Sequence, residues 1–159
     1  MLKRKIKALG ALRKIVFRLK KRGEKIVFTN GCFDILHYGH AKYLEEAKNK
    51  GDILIVAVNS DASVKKIKGD KRPITPQAQR IGLIAALESV DYALLFNQPD
   101  PYLVIKSLKP DVLVKGADWK KERIVGNDIL AAYGGKVSTV KLVKGLSTTN
   151  LIKKIAEKF

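Results

Sequence analysis

Two histidines three residues apart, His37 and His40, follow a short stretch that contains Gly31, and the chain has no other histidine. In the first turn of a helix, this spacing places both imidazole rings on one side. A helix start also offers free N–H groups and a positive dipole end, which suit a phosphate. Two imidazoles there add donors for negative charge that builds up during phosphate transfer. The pattern therefore favours phosphate-transfer chemistry over a pair of capping or surface histidines.

The residues around the histidines predict a strand, a tight loop and a helix start. An apolar run, 26–28, precedes the loop and a helical run, 41–50, follows it. Gly31 allows close backbone approach within the loop. Cys32, the single cysteine, is predicted to be a packing residue, because no dedicated base stands beside it to activate the thiol. One cysteine permits no internal disulfide, which favours a reducing cytoplasm.

The formal net charge of +17 over 159 residues makes a basic nucleic-acid-binding protein the hypothesis from a second class. The basic residues are dispersed, however, and aromatic residues do not alternate with them as a stacking platform requires. No specific nucleic acid is therefore expected. No apolar run approaches the roughly 20 residues of a membrane span, and the basic N-terminus lacks the apolar core of a secretory signal. The length predicts a single domain.

The first 23 residues are predicted to form a basic amphipathic helix. Apolar residues recur at spacings of three and four from Leu2 to Leu19, and lysine and arginine occupy the other faces. A membrane-surface helix has the same pattern, but packing on the domain is favoured. The sequence thus divides into this helix, 1–23, and the domain that carries the chemistry, 24–159.

The rest of the chain alternates strands and helices, which predicts an α/β fold with a parallel sheet. The run 53–58 is aliphatic throughout, as in a strand covered on both faces. The predicted strands are 25–29, 53–58, 92–96, 112–114 and 136–142, and the predicted helices after the first are 41–50, 75–88, 102–108, 127–133 and 151–159.

Polar residues follow the second predicted strand at its carboxyl end, where an open parallel sheet places its ligands. Asn59 comes directly after this strand, and the charged stretch 65–73 is predicted to be a loop. Lys68 and Arg72 in this loop are placed to fold over phosphates on a glycine hinge. Arg80 follows on the next helix.

Two further stretches are predicted to reach the same edge of the sheet. Lys115, Gly116, Asp118 and Trp119 leave the fourth strand, and the polar surroundings of this single tryptophan favour base stacking or loop anchoring over a core position. The run 147–149 opens the last helix with more hydroxyls than capping needs, which predicts a second phosphate cradle.

These residues resemble the nucleotidyltransferases that carry a His-x-x-Gly-His or His-x-Gly-His signature. Here it is His37-Tyr38-Gly39-His40, preceded by Gly31-Cys32-Phe33-Asp34, and the start Ser147-Thr148-Thr149 looks like the second signature of that family. The similarity covers nearly the whole chain from Lys25. It is closest to the heptose 1-phosphate adenylyltransferases, which occur alone or fused to a sugar kinase.

The resemblance implies a Rossmann-like, doubly wound parallel sheet of about five strands in the order 3-2-1-4-5. It implies an enzyme that converts ATP and D-glycero-D-manno-heptose 1-phosphate to ADP-heptose and pyrophosphate by direct in-line attack. The enzyme would be cytoplasmic, and its product would supply the inner core of lipopolysaccharide. Mg²⁺ is expected on the triphosphate, held mainly by phosphate oxygens and water, with its protein ligands unknown. A homo-oligomer is compatible with this interpretation.

The resemblance also implies roles for individual residues. The catalytic residues would be His37, His40 and Lys68. Nucleotide-binding residues would be Gly31, Cys32, Phe33, Asp34, Gly116, Asp118, Trp119, Ser147, Thr148 and Thr149. Further phosphate or acceptor contacts are expected from Arg72, Arg80, Asn59 and Lys115. Asp34 would orient the loop or touch a metal indirectly.

Two departures from the family pattern bear on the substrates. Many relatives have an arginine three residues after the last threonine of the second signature, where this chain has Ile152. Lys153, Lys154 or the Lys68 loop would then supply the cation. The stretch 116–119 also resembles glycerol-3-phosphate cytidylyltransferase, so a cytidylyltransferase of a polyol phosphate is the alternative enzyme.

Overall fold

Strands rich in β-branched and aliphatic residues form the centre of the molecule, as expected for a sheet that is covered on both faces. The computed structural model describes residues 2–158 and contains one five-stranded parallel sheet in the order β3-β2-β1-β4-β5. This confirms the predicted fold class. The strands are β1 (Ile26–Gly31), β2 (Ile53–Asn59), β3 (Tyr92–Phe96), β4 (Val112–Gly116) and β5 (Lys136–Val140).

The helices cover both faces of the sheet. They are α1 (Leu2–Lys5), α2 (Leu9–Lys21), α3 (Tyr38–Lys48), α4 (Asp61–Lys68), α5 (Gln77–Ala86), α6 (Tyr102–Leu108), α7 (Asn127–Tyr133) and α8 (Thr148–Lys158). Leu44 of α3 and Ile84 of α5 lie in the core on one face, with Val56 of β2. Leu12 of α2 and Ile105 of α6 lie in the core on the other face. The two cores hold the sheet between layers of helices, and the carboxyl ends of its parallel strands lie along one edge.

The N-terminal segment forms two helices and not the single predicted one. Between α1 and α2, Ile6 pairs in parallel with Ala93 of β3, and the Lys7 amide donates to the Ala93 carbonyl at 2.9 Å. Because β3 is an edge strand, its free backbone groups compete with helix continuation and draw this segment into the sheet. The apolar stripe of α2 is buried through Leu12 and Val16.

The stretch 65–73 is only partly a loop, because its first residues belong to α4, a helix absent from the sequence prediction. Ser60 caps α4, and its hydroxyl accepts a hydrogen bond from the Ser63 amide at 3.2 Å. This cap, followed by Asp61 in the first turn, is a standard helix-start signal that the high charge of the stretch obscured. Lys68 therefore ends a helix, and Gly69 follows with a positive φ of 91°.

The last strand and the last helix also differ from their predicted bounds. β5 ends at Val140, and α8 begins at Thr148, three residues before the predicted start at 151. Thr148 and Thr149 are thus in the first turn of α8. Among residues 2–158, no helix is both long enough and apolar enough to cross a membrane.

Candidate active site

A cleft of about 520 Å³ opens at the carboxyl ends of β1 and β4. These neighbouring strands lie where the strand order reverses, which is the usual ligand position in an open α/β sheet. The predicted site residues that line it are Gly31, Cys32, Phe33, Asp34, His37, His40, Asn59, Lys68, Arg72, Lys115, Gly116, Asp118, Trp119, Ser147, Thr148 and Thr149. The structure therefore brings together all predicted site residues except Arg80.

The loop between β1 and α3 has an unusual backbone. Phe33 and Ile35 have positive φ values of 48° and 53°, a region that non-glycine residues rarely adopt. Such conformations persist where the surroundings enforce them, and they cluster at ligand sites. Gly31 fits against the turn, because a Cβ at this position would lie 3.0 Å from the Phe33 ring. The loop thus presents its backbone to the cleft in one fixed shape.

The two histidines stand together at the start of α3. His37 precedes the helix and His40 is in its first turn, and their ring centroids lie 3.8 Å apart at an interplanar angle of 22°. Gly39 makes room for this stack, because a Cβ there would lie 3.0 Å from the His37 ring and 3.3 Å from Leu146 Cβ. The glycine of the signature is therefore a spacer that lets His37 lie flat beside its partner.

The histidine nitrogens have few partners within the protein. Both ring nitrogens of His37 and the Nδ1 atom of His40 are buried without a hydrogen-bond partner among the described residues. Burial lowers the pKa of His37, and burial together with the neighbouring His37 lowers the pKa of His40 to about 4. Both rings are therefore neutral near pH 7. Buried polar atoms without partners are costly, and a bound phosphate that accepts from these rings would remove the cost.

Asp34 ties the loop to two other segments. Its carboxylate accepts from Arg72 Nε at 2.6 Å and from the amides of Ile74 and Thr75 at 2.9 and 2.8 Å. The Thr148 hydroxyl donates to the Asp34 carbonyl at 2.6 Å. Burial raises the pKa of Asp34, but the two amides and Arg72 outweigh it and leave the pKa below its ordinary value. Asp34 is thus an ionised anchor that orients the loop, and its carboxylate faces protein donors.

Arg80 does not reach the cleft, which corrects its prediction as a phosphate or acceptor contact. Its side chain is buried, and its guanidinium donates to the carbonyls of Thr75 and Cys32 at 2.9 and 2.5 Å and to Asp61 Oδ1 at 2.7 Å. All three guanidinium nitrogens therefore have an acceptor within the protein. By donating to the Cys32 carbonyl, Arg80 supports the loop between β1 and α3 from the interior of the protein.

The hydroxyls at the start of α8 are less free than the sequence predicted. Thr148 donates to Asp34, and the Ser147 hydroxyl accepts from the Asn150 amide at 3.1 Å. Both side chains therefore already have partners within the protein. The helix start still lies on the cleft beside the histidines, so its N–H groups remain the main donors there.

Three cations border the cleft among the described side chains, and they differ in their partners. Arg72 is paired with Asp34, whereas Lys68 is exposed at the end of α4. Lys115 is partly buried on β4 and donates to Asn30 Oδ1. Lys153 and Lys154, two of the cations predicted to stand in for an arginine at position 152, are exposed on α8 and are not among the residues that line the cleft.

Two residues at the floor of the cleft had no role in the prediction. Asn30 ends β1 beside Lys115, and Tyr43 of α3 shares a hydrogen bond of 2.7 Å with Thr29 and donates to the Val114 carbonyl at 3.1 Å. These hydrogen bonds of Tyr43 therefore attach α3 to β1 and β4, the two central strands. The spacing of three residues between His40 and Tyr43 could have indicated that Tyr43 lies on the same face of the helix and reaches the cleft.

An apolar rim surrounds the end of the cleft beyond β4. Trp119 is 52 % exposed there, and Leu142 and Val125 line the same end. Gly116 allows the Asp118 carboxylate to lie close against the strand end, because a Cβ at this position would lie 2.5 Å from Asp118 Oδ1. A flat, apolar base and a hydroxylated ribose match this combination of indole, aliphatic side chains and carboxylate.

The comparisons with known proteins agree with this geometry. Residues 28–154 match the family model described as cytidylyltransferase-like. Two curated relatives, both named bifunctional protein HldE, come from Geobacter metallireducens and from a Nitratiruptor species. The first is 52 % identical over 151 residues, covering 95 % of this chain and 31 % of the relative. The second is 56 % identical over 137 residues, covering 86 % of this chain and 29 % of the relative.

A solved structure gives the same result. The lipopolysaccharide core biosynthesis protein from Thermoplasma volcanium GSS1 superposes with a TM-score of 0.61 and is 34 % identical, covering 77 % of this chain and 98 % of that one. The chain belongs to the cytidylyltransferase-like family, which confirms the predicted class of nucleotidyltransferase enzymes. The curated relatives are longer proteins, and the chain spans about a third of their length, 31 % in the first case.

Proposed function

We propose that this chain transfers the adenylyl group of ATP to D-glycero-D-manno-heptose 1-phosphate, giving ADP-heptose and pyrophosphate. The observation that carries the proposal is the stacked pair His37 and His40, which lines a cleft at the switch point of the sheet and has buried ring nitrogens without a partner among the described residues. The resemblance to heptose 1-phosphate adenylyltransferases supports this choice of substrates. So do the relatives named bifunctional protein HldE and the neighbour named for lipopolysaccharide core biosynthesis.

The reaction requires positioning and charge stabilisation more than a base. An oxygen of the sugar phosphate, already ionised at neutral pH, forms a bond to the α-phosphorus of ATP. The bond from that phosphorus to the oxygen bridging the α- and β-phosphates breaks, and its electron pair leaves with pyrophosphate. No proton needs to be removed from the nucleophile.

The histidines would act as donors to the oxygens on which charge grows. A neutral imidazole donates through one nitrogen, so His37 and His40 each supply one N–H in the free enzyme. The negative charge of bound triphosphate raises the pKa of nearby imidazoles and favours a second donor on each ring. The N–H groups at the start of α8 add donors on the pyrophosphate side.

Mg²⁺ would bind mainly through the triphosphate. Among residues 2–158, no three histidine, cysteine, aspartate or glutamate side chains lie close enough to form a metal site. Asp34 is committed to protein donors, which leaves the protein without a cage of oxygen ligands at the loop. Magnesium commonly keeps its waters and takes phosphate oxygens as ligands, and the ion would supply charge neutralisation to ATP.

The second candidate is a cytidylyltransferase that uses CTP and a polyol phosphate such as glycerol 3-phosphate. The description of the matching family as cytidylyltransferase-like and the stretch 116–119 favour it. Both candidates share the histidine mechanism and differ only at the apolar rim and the acceptor.

Pyrophosphate release with Mg²⁺ tests the proposal, with ATP and CTP each paired with heptose 1-phosphate and glycerol 3-phosphate. We expect release only with ATP and the heptose. Release with CTP and glycerol 3-phosphate would replace the proposed substrates with the second candidate. If no pair released pyrophosphate, both candidate enzyme functions would be overturned. Binding of DNA or RNA that depends steeply on salt would then favour the non-enzyme hypothesis.

A further inference from the structure

One cation on the cleft lacks an anionic partner although it is partly buried. Lys115 is the fourth residue of β4, and its Nζ donates to the amide oxygen of Asn30, a neutral group. Four other cations with largely covered side chains, Lys20, Lys48, Arg72 and Arg80, each lie within 2.9 Å of a carboxylate. Within residues 2–158, no carboxylate lies within ion-pair distance of Lys115. A desolvated ammonium without an anion is costly, so this one is prepared for an anionic ligand.

The position of Lys115 in the sheet indicates which anion it meets. β4, β5 and the start of α8 form one side of the cleft, where Trp119 and Ser147 lie. β2, α4 and the turn after β3 form the other side, where Asn59, Lys68 and Pro99 lie. Lys115 and Asn30 stand on the two central strands, at the boundary between the sides.

The in-line geometry of the reaction assigns the two sides different substrates. The attacking oxygen must approach the α-phosphorus opposite the leaving pyrophosphate. If the base occupies the side with Trp119, the acceptor enters from the side with Asn59, and its phosphate meets the nucleotide at the boundary. Lys115 is the partly buried cation at that point.

We propose that Lys115, oriented by Asn30, binds the phosphate of the acceptor and holds it beside the α-phosphorus of the nucleotide; this rests on the proposed function. Lys115 stays protonated throughout and donates an N–H to a phosphate oxygen that is not attacking. It thereby offsets repulsion between two anionic substrates. The neutral Asn30 orients the ammonium without competing for it as a carboxylate would.

Lys115→Met tests the role, with Lys115→Arg as the matched variant that keeps the charge. Loss of one charge-assisted hydrogen bond should raise the KM for the acceptor by about 30-fold while the KM for ATP changes less than about twofold. Lys115→Arg should recover much of the acceptor KM. Burial lowers the pKa of Lys115 to about 8, against the opposing effects of Cys32 and Asp118, so the wild-type acceptor KM should rise above that pH, whereas Lys115→Arg removes this rise. A rise in both KM values together, or no rescue by arginine, would overturn the role.

A binding measurement separates this role from the identity of the acceptor. With the nucleotide site saturated by α,β-methylene ATP, inorganic phosphate should raise the Tm of the wild type and of Lys115→Arg, but not of Lys115→Met. This result would support the anion site even if heptose 1-phosphate were not turned over. An equal rise in all three proteins, or none in the wild type, would reject the site even if the proposed reaction were confirmed.

Discussion

Two groups of side chains border the same cleft and differ in how the protein uses their hydrogen-bonding capacity. The tied group, Asp34, Arg72 and Thr148, finds its partners inside the protein. The open group, His37, His40 and Lys115, has few or neutral partners. The tied group fixes the shape of the loop, and the open group keeps its donors for a ligand. Stability and chemistry therefore depend on different residues that border one loop.

Asp34→Asn should produce the largest loss of stability, because it leaves Arg72 without its anion and sets a side-chain NH2 donor against a donor that the carboxylate oxygen had accepted from. We expect the free energy of unfolding in urea to fall by about 3 kcal/mol, with a parallel loss of turnover as the loop loosens. Asp70→Asn, on the exposed part of the same segment, is the control and should change stability by less than about 0.5 kcal/mol. If Asp34→Asn and the wild type had the same free energy of unfolding, the hydrogen bonds of Asp34 would not stabilise the fold.

His37→Ala should show the opposite pattern, with a large loss of activity and little loss of stability. Removal of a donor to transition-state charge should lower kcat by about a hundredfold or more, while the Tm holds or rises, since the lost nitrogens were unpartnered. The neighbouring Tyr38→Ala is the control, because this side chain is 67 % exposed. A loss in kcat below about threefold for His37→Ala would mean that the signature is structural.

Gly39→Ala should lower kcat only by displacing the imidazole ring of His37. The new methyl group would press on His37 from 3.0 Å, and the unanchored ring would shift. We expect kcat to fall by about tenfold, with a change in unfolding free energy within about 1 kcal/mol. Gly82→Ala in α5 meets no atom within 4 Å, so it should keep full activity and gain stability. Similar kinetics for the two variants would contradict the spacer role of Gly39.

The pH dependence of stability should show the smallest effect near neutral pH, where His40 is already uncharged. The pKa of His40 is about 4 in the folded protein, against an ordinary value of 6.5, so the unfolded chain binds more protons between these values. Stability should therefore fall as the pH is lowered from 6.5 towards 4, by up to about 3 kcal/mol or roughly 7 °C in Tm. His40→Gln should flatten this part of the curve. Asp34, with its lowered pKa, loses its contribution only at lower pH. An unchanged slope in His40→Gln would show that His40 is not the titrating group.

Sequence periodicity and spacing were sufficient to predict a parallel sheet and a cleft at the carboxyl ends of its strands. Aliphatic runs give buried strands wherever they occur, and residues at strand ends meet at one edge whatever the loops do. For this reason His37, Lys115 and Trp119 were correctly placed on one cleft from their distances to strand ends. The resemblance to a family supplied the strand order, which local patterns do not determine.

The partners of the polar side chains could not be predicted in the same way. Arg80 has the spacing of an outward residue, but three acceptors from separate segments draw it into the interior. The Thr148 hydroxyl likewise finds a carbonyl that lies 114 residues earlier in the chain. Such contacts arise only when distant segments meet, and a helix start with several hydroxyls looks the same whether they serve a ligand or the fold.

The contacts of Asp34 make the loop after β1 a shared support for both sides of the cleft. Through one residue, the loop is joined both to the segment at Arg72, on the side of Lys68, and to Thr148 at the start of α8. Loss of either hydrogen bond should therefore loosen the same loop, so a substitution on one side of the cleft is felt on the other. A single carboxylate and its own carbonyl group thus couple the two sides mechanically.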